Sequence, residues 1–356
     1  MKVIALFVES MATGVLTIVE QLIPTLVENF GKDKIHLIYS VRKETPQEVH
    51  TRFSKICNNH KFKTNKINVL KSIFAFRKLV LKINPTHLIC LSSWAGLIGR
   101  SAMLWNNNGP LIYYNPQAIS FARKDINYIT KLIFYFVEKL LLLRTHCVIA
   151  SGNSEYSYLK KSLRSSKIKT ISNPAPTTNK TCSKPPIYDV VFCGGIRPQK
   201  DPSTFAHIAS ILSKKRNNIK ILWIGDGCPK LKSILEDNNV TVTGWLEKHS
   251  IQELYASSRV YLSCAQWEGL PLSVLEALGS GLPCILYNCT GNQDCVEPGS
   301  NGYLFKDPRI AIELIEELLN NNQKFNKFSE NSRELAQRRF SHSNFQKSWV
   351  EIINED

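Results

Sequence analysis

Two glutamates in the stretch "WEGLPLSVLEALGSGLP" (267–283) stand eight positions apart, Glu268 beside a Gly-Leu-Pro turn and Glu276 inside a short amphipathic segment closed by Gly279, Gly281 and Pro283. A strand-like run, "VYLSCA" (260–265), precedes them, so the chain must turn at Gly269, Leu270 and Pro271 and then enter a helix. Proline suits a first helical position because its missing N–H would be unpaired there. The amides of Leu272, Ser273 and Val274 then point out of a helix start carrying about half a positive charge, a site for an anion such as a diphosphate. Carboxylates offer two acceptor oxygens to paired hydroxyls. Glu268 is placed for the hydroxyls of a sugar, and Glu276, further along the helix, for a ribose diol. The plainer account is a capping carboxylate and a surface one.

Such groups need a scaffold that presents loops at one edge. Along the whole chain, short β-rich runs alternate with segments of helical period, the pattern of parallel sheets covered by helices. The first half offers "KVIALFVE" (2–9), "KIHLIYSV" (34–41), "INVL" (67–70), "HLICLSS" (87–93), "PLIYYN" (110–115), "CVIAS" (147–151) and "IKTISN" (168–173) as strands. A second series runs from "DVVFCGG" (189–195) through "IKILWIGDG" (219–227), "VTVTGW" (240–245), "VYLSCA" and "PCILYN" (283–288) to a helical region from residue 309. Between the two series "SNPAPTTNKTCSKPP" (172–186) reads as a linker. The expected organisation is α/β, two Rossmann-like doubly wound domains facing across a cleft: 1–176, a linker at 177–187, 188–340, and a terminal helix at 341–356 packing back toward the first domain. Ligands of such sheets gather at the carboxyl ends of the strands. Gly225, Asp226 and Gly227 fall at one such end, where glycine permits close backbone approach to a nucleotide or simply a tight turn.

Length and composition narrow the classes. At 356 residues, with 43% hydrophobic and 21% charged residues, the chain is globular and fits two domains. Its most apolar stretch, "KLIFYFVEKLLLLRTHCVIA" (131–150), is interrupted by Glu138, Lys139 and Arg144, so no membrane span is expected. Residues 130–144 read as a buried helix with basic flanks in preference to a membrane-docking one. The start, "MKVIALFVES", reads as a first buried strand and not as a signal peptide, which points to the cytoplasm. Ten cysteines never form C-x-x-C, so they read as core residues of a reducing compartment and not as metal ligands. The net charge of +16 is confined to the first half: residues 1–176 hold 25 basic and 9 acidic residues, leaving 20 of each in the remainder. Such a one-sided field suits nucleic acid, an anionic membrane surface or an anionic acceptor, or it is a solvated basic surface.

The E-G-L-P-x-x-x-x-E-A pattern of 268–277, followed by "GSGLPCILYNCTGNQDCVEPGSNGYLF" (279–305), resembles the carboxyl-domain signature of glycosyltransferase family 4, retaining enzymes of GT-B architecture. In the first half "VESMATGVLT" (8–17), "LSSWAGLIGR" (91–100), "IYYNPQAISF" (112–121) and "VIASGNSE" (148–155) resemble its bacterial polysaccharide branch. The resemblance implies a nucleotide diphosphosugar donor, retention of anomeric configuration and no metal. In "FCGGIRPQKDP" (192–202) it implies that Lys200, and Arg197 in place of an arginine expected where Gly195 stands, neutralise the leaving diphosphate. It places Trp245 and Leu246 of "VTGWLEK" near the nucleotide base, where a buried core Trp is the plainer alternative, and Gly14 in a loop beside the donor phosphates. Gln117 stands where the family often has a histidine and keeps a donor and an acceptor but cannot protonate. Ser92, Ser93 and Arg100 match the pattern on the acceptor side, although a strand-ending serine pair and a helical arginine need no function.

The function implied is transfer of a hexose or N-acetylhexosamine, from a UDP-sugar in first place, to an undecaprenyl-diphosphate-linked oligosaccharide in O-antigen or capsule synthesis, on the inner face of the plasma membrane. Two other classes compete. A GT-B-like nucleotide-sugar epimerase would share the cleft but leaves the glutamate spacing with Lys200 unexplained. A non-catalytic basic binding protein for nucleic acid explains the charge alone, and no aromatic-basic interleaving of a single-strand platform is present.

Overall fold

Strands buried on both faces of a parallel sheet must be apolar along their whole length, and the first such run, β1 (Ile4–Val8), is fully buried. A computed structural model of the chain describes all residues except 1, 12, 43, 44, 66, 107, 177–185 and 356, so most of the expected linker at 177–187 lies outside the described residues. Two compact units result: Met1–Asn173 with Phe345–Asp356, and Pro174–Asn344.

In the first unit the chain runs α1 (Thr13–Phe30), β2 (Ile35–Tyr39), α2 (Val49–Ser54), β3 (Asn58–Lys61), α3 (Val69–Ile83), β4 (His87–Leu91), α4 (Ser93–Ala102), β5 (Leu111–Asn115), α5 (Tyr128–Leu141), β6 (Cys147–Ala150), α6 (Asn153–Leu163) and β7 (Ile168–Thr170). Its seven strands are parallel in the order β3-β2-β1-β4-β5-β6-β7. Strand order reverses between β1 and β4, where Ile4 lies opposite His87 and Val8 opposite Leu91. Phe76 and Val80 of α3, Ala95 and Ile98 of α4 and Leu159 and Leu163 of α6 share one core with the sheet, so these helices cover the same face.

The second unit repeats the plan: β8 (Tyr188–Cys193), α7 (Pro202–Lys215), β9 (Ile221–Ile224), α8 (Pro229–Glu236), β10 (Val240–Val242), α9 (Lys248–Ala256), β11 (Ser258–Ser263), α10 (Leu272–Gly279), β12 (Cys284–Tyr287), β13 (Gly302–Phe305), α11 (Pro308–Asn320) and α12 (Asn322–Arg339). The parallel order is β10-β9-β8-β11-β12-β13, with the reversal between β8 and β11. The last helix, α13 (His342–Asn354), buries Phe345, Trp349, Ile352 and Ile353. Gln346 Nε2 donates to Thr25 Oγ1 of α1 at 3.1 Å, and Tyr113 Oη of β5 donates to the Ile352 carbonyl at 3.4 Å.

Two expectations are corrected. "INVL" is not a strand: Asn68 caps α3, its side chain accepting from Lys71 N at 3.0 Å, and Val69 begins the helix. The third strand is instead the polar edge segment Asn58–Lys61. Residues 130–144 do not form a buried helix: Leu141 is buried, but Ile129, Ile133, Phe136 and Leu140 of α5 are exposed.

Candidate active site

The loops after β8 and β11 flank the strand reversal of the second unit, the place where an open α/β sheet binds ligands. After β8 the chain makes a single 3-10 turn over Pro198–Lys200 and then places Asp201 at φ 49°, where its carboxylate caps α7 by accepting from Thr204 N (3.1 Å) and Oγ1 (2.7 Å). This turn directs Lys200 inward, leaving the residue 8% exposed. There its ammonium pairs with Glu268 of the loop after β11.

Glu268 is braced from several sides. Gln199 Nε2 donates to the Trp267 carbonyl at 2.8 Å and to Glu268 Oε2 at 3.3 Å. Gln266 N donates to the Gln199 carbonyl at 2.9 Å, and Gln266 Nε2 to Asp201 Oδ2 at 3.0 Å. From the far side the loop after β12 presses in at Gly291 (φ 86°), where any Cβ would come within 2.2 Å of the Gly269 carbonyl oxygen. A carboxylate held in this way is a well-oriented acceptor. Sequence reasoning missed Gln199, Gln266 and Asp201, whose only signal was adjacency to Lys200 and to the E-G-L-P turn.

Helix α10 starts one residue later than expected, with Pro271 as its cap and Leu272 as its first residue. The Val274 amide is not available to a ligand, because it donates to the Pro271 carbonyl at 3.1 Å. Leu272 and Ser273 supply the remaining first-turn amides, which precede any i→i−4 bond. Ser273 is held by Tyr261 Oη, 3.0 Å from its Oγ, and by Tyr255 Oη, 3.2 Å from its carbonyl. Leu270 is buried under the same turn. Although part of Glu276 reaches solvent, burial lifts its carboxyl to about 7, an effect Lys248 only partly opposes. No hydrogen bond or ion pair from the Glu276 side chain is present among the described residues.

The glycines at the ends of β8 and β9 serve the chain's own backbone. A Cβ on Gly225 (φ 137°) would stand 2.3 Å from the Gly194 carbonyl oxygen, and one on Gly227 2.2 Å from that of Ile196. Ile196 N donates to the Asp226 carbonyl at 2.9 Å, and Cys228 N to the Ile196 carbonyl at 2.9 Å, so the two loops are laced together. Asp226 turns its carboxylate onto Gly227 N (2.9 Å) and lies 3.5 Å from Lys232 Nζ. Trp245 is 59% exposed, which rules out the core alternative, and Leu246 is 37% exposed beside it. Around the ideal Cβ position of Gly195 lie Trp245 Cη2 at 3.4 Å and Arg197 Nε at 3.6 Å. Arg197 thus folds its guanidinium back beside the residue in whose place an arginine was expected.

Gly14 and Gln117 belong to the first unit. Gly14 sits in the first turn of α1, after β1, and Gln117 follows β5. Gln117 adopts φ 60°, a left-handed conformation unusual for a non-glycine residue, and its amide is clamped between Asn115 and Asn173. Ser92 caps α4 from φ 92°, accepting from Ala95 N at 3.4 Å. Arg100 is structural: it is fully buried, its guanidinium lies 3.7 Å from the Tyr114 ring centroid, and it pairs with Glu138 at 2.8 Å.

Two parallel, doubly wound α/β units of this kind are the GT-B architecture. The crystal structure of Anabaena HepE in complex with UDP-glucose superposes on the chain with a TM-score of 0.79 at 15% identity, covering 100% of both chains. Residues 180–335 match the family model described as Glycosyl transferases group 1. An uncharacterized 41.2 kDa protein in the cps region of Klebsiella pneumoniae is 26% identical over 364 residues, 97% of each chain. The UDP-Gal:alpha-D-GlcNAc-diphosphoundecaprenol alpha-1,3-galactosyltransferase of Escherichia coli is 28% identical over 271 residues, 67% of each chain. The chain is a glycosyltransferase, and its match to the group 1 family model falls within the second unit.

Proposed function

We propose that this glycosyltransferase retains anomeric configuration while moving a hexose or N-acetylhexosamine from a UDP-sugar to an undecaprenyl-diphosphate-linked oligosaccharide, as a peripheral enzyme of O-antigen or capsule synthesis on the cytoplasmic face of the plasma membrane. The Lys200–Glu268 pair beside the start of α10 carries this reading. A cation and a carboxylate side by side match a donor whose diphosphate is anionic and whose sugar presents hydroxyls. The diphosphate takes Lys200, Arg197 and the amides of Leu272 and Ser273. Glu268 accepts from the transferred sugar, Glu276 from the ribose, and Trp245 and Leu246 flank the base. The Escherichia coli relative supports the donor and lipid-linked acceptor through its name, and the HepE complex supports a UDP-sugar donor.

In this scheme no residue forms a covalent intermediate. Positive groups stabilise the charge that develops on the leaving diphosphate, and the braced Glu268, with Glu276, holds the donor in the reacting geometry. Gln117, unable to protonate, contributes a hydrogen bond and no base. Lys200→Ala, Glu268→Ala and Glu276→Ala each reduce transfer to a lipid-linked acceptor by about a hundredfold or more, at about 3 kcal/mol per lost contact, with circular dichroism unchanged. Near-native transfer in all three overturns the site. Product NMR showing inverted anomeric configuration overturns the retaining mechanism alone.

A further inference from the structure

We propose that the outward face of α5, with Trp105, is the surface by which this protein docks on an anionic phospholipid bilayer. The inference rests on the lipid-linked acceptor proposed above but concerns a different part of the molecule. Ile129, Ile133, Phe136 and Leu140 are all at least half exposed and follow one another at spacings of three and four, which puts them on one side of the helix, and Leu143 in the turn that follows is 76% exposed. A water-soluble unit ordinarily buries such a face. The opposite side faces the core through Leu141 and Glu138, the latter locked to Arg100. Arg144, just beyond α5, donates to the carbonyls of Met103 (3.0 Å) and Pro110 (2.9 Å). It thereby ties the loop bearing Trp105, which is 85% exposed, to the end of the apolar face. Tryptophan favours the headgroup level of a bilayer.

Charge selects the occupant. From residue 126 to 188 the only carboxylates are Glu138 and Glu155, and both are buried. Helix α6 lies beside α5, with Tyr135 Oη donating to the Ser162 carbonyl at 3.2 Å, and exposes Lys160 and Lys161. Lys139 is exposed on α5 itself, 5.3 Å from the Tyr135 ring centroid. An apolar face bordered by lysines, with the exposed Asp125 before α5 taken up by Arg123 at 2.6 Å, fits an anionic bilayer, which supplies hydrocarbon and negative headgroups together. A second copy of the same face would set lysine against lysine.

Vesicle co-sedimentation of the full chain, with phosphatidylcholine alone or mixed with phosphatidylglycerol, tests the proposal. Binding to the mixed vesicles only, weakened by salt, is expected, together with a blue shift of tryptophan emission that Trp105→Phe abolishes. The Phe136→Ser/Leu140→Ser variant binds these vesicles about tenfold more weakly or worse while its melting temperature and its thermal shift with UDP-glucose stay as in the wild type. No binding of the wild type to the mixed vesicles overturns the proposal, as does binding that survives the double substitution. A dimer in sedimentation velocity that the double variant dissociates overturns it in favour of a homomeric interface. Absence of any UDP-sugar effect on wild-type melting counts against the proposed donor and leaves the docking result standing.

Discussion

Glu276 makes no hydrogen bond or ion pair among the described residues, and burial raises its carboxyl to about 7. Between about 4.5 and 7 the unfolded chain therefore releases a proton that the folded chain keeps. Stability falls as pH rises through that window, and above it the cost is constant. Glu276→Gln is expected to raise the melting temperature by a few degrees near pH 8 and by less near pH 5, read by scanning fluorimetry at both. A ribose diol donates to the ionised form, so wild-type affinity for a UDP-sugar, read by calorimetry, rises with pH through about 7, and the Gln variant shows no such rise. A flat wild-type profile would remove Glu276 from the ribose. The sequence exposed this residue because a Gly-Leu-Pro turn before a short apolar helix leaves few places for a second glutamate. It did not expose the joining of Lys200 to Glu268, since a contact between residues 68 positions apart depends on which strands are neighbours. Nor does any local pattern distinguish an Arg197 that folds back beside Gly195 from one that points to solvent.

Among elements, the strands were legible wherever they are buried, because a covered parallel strand has to be apolar throughout. Asn58–Lys61 escaped because it lies at the sheet edge, and "INVL" misled because four apolar residues fit a strand or a helix start equally well until Asn68 is recognised as a cap. Helix α5 was ambiguous for a different reason: apolar residues surround nearly its whole circumference, so the periodicity could not say which side is covered. The laced loops after β8 and β9 carry their own prediction. Gly225→Ala and Gly227→Ala force a Cβ against a carbonyl oxygen, so each lowers unfolding free energy by about 2 kcal/mol or more in urea titrations. If Gly227→Ala keeps wild-type stability yet loses UDP-sugar binding, glycine is required there by the ligand and not by the loop.

At the scale of the whole molecule, the two units differ in charge as well as in chemistry: the net positive charge belongs to residues 1–176, while the paired glutamate and lysine lie in the neutral remainder. The first unit is also discontinuous, closed by Phe345, Trp349, Ile352 and Ile353 of α13. A chain ended at Asn344 loses these buried side chains, at about 1.5–3 kcal/mol each. It should show a lowered melting transition for the first unit, with the second unit's transition and its UDP-sugar shift retained; equal loss of both would mean that the units do not unfold separately.

That same connectivity makes the second unit, in effect, an insertion within the first. On the ribosome, which adds residues at about 5–20 per second, residues 174–344 have all been made before the segment that closes the first unit appears. The second unit is therefore synthesised in full before the first can close, and the basic unit has to wait with an open flank of α1 and β5. Closure of the first unit, the half that carries the apolar and basic surface, therefore has to follow synthesis of the whole second unit.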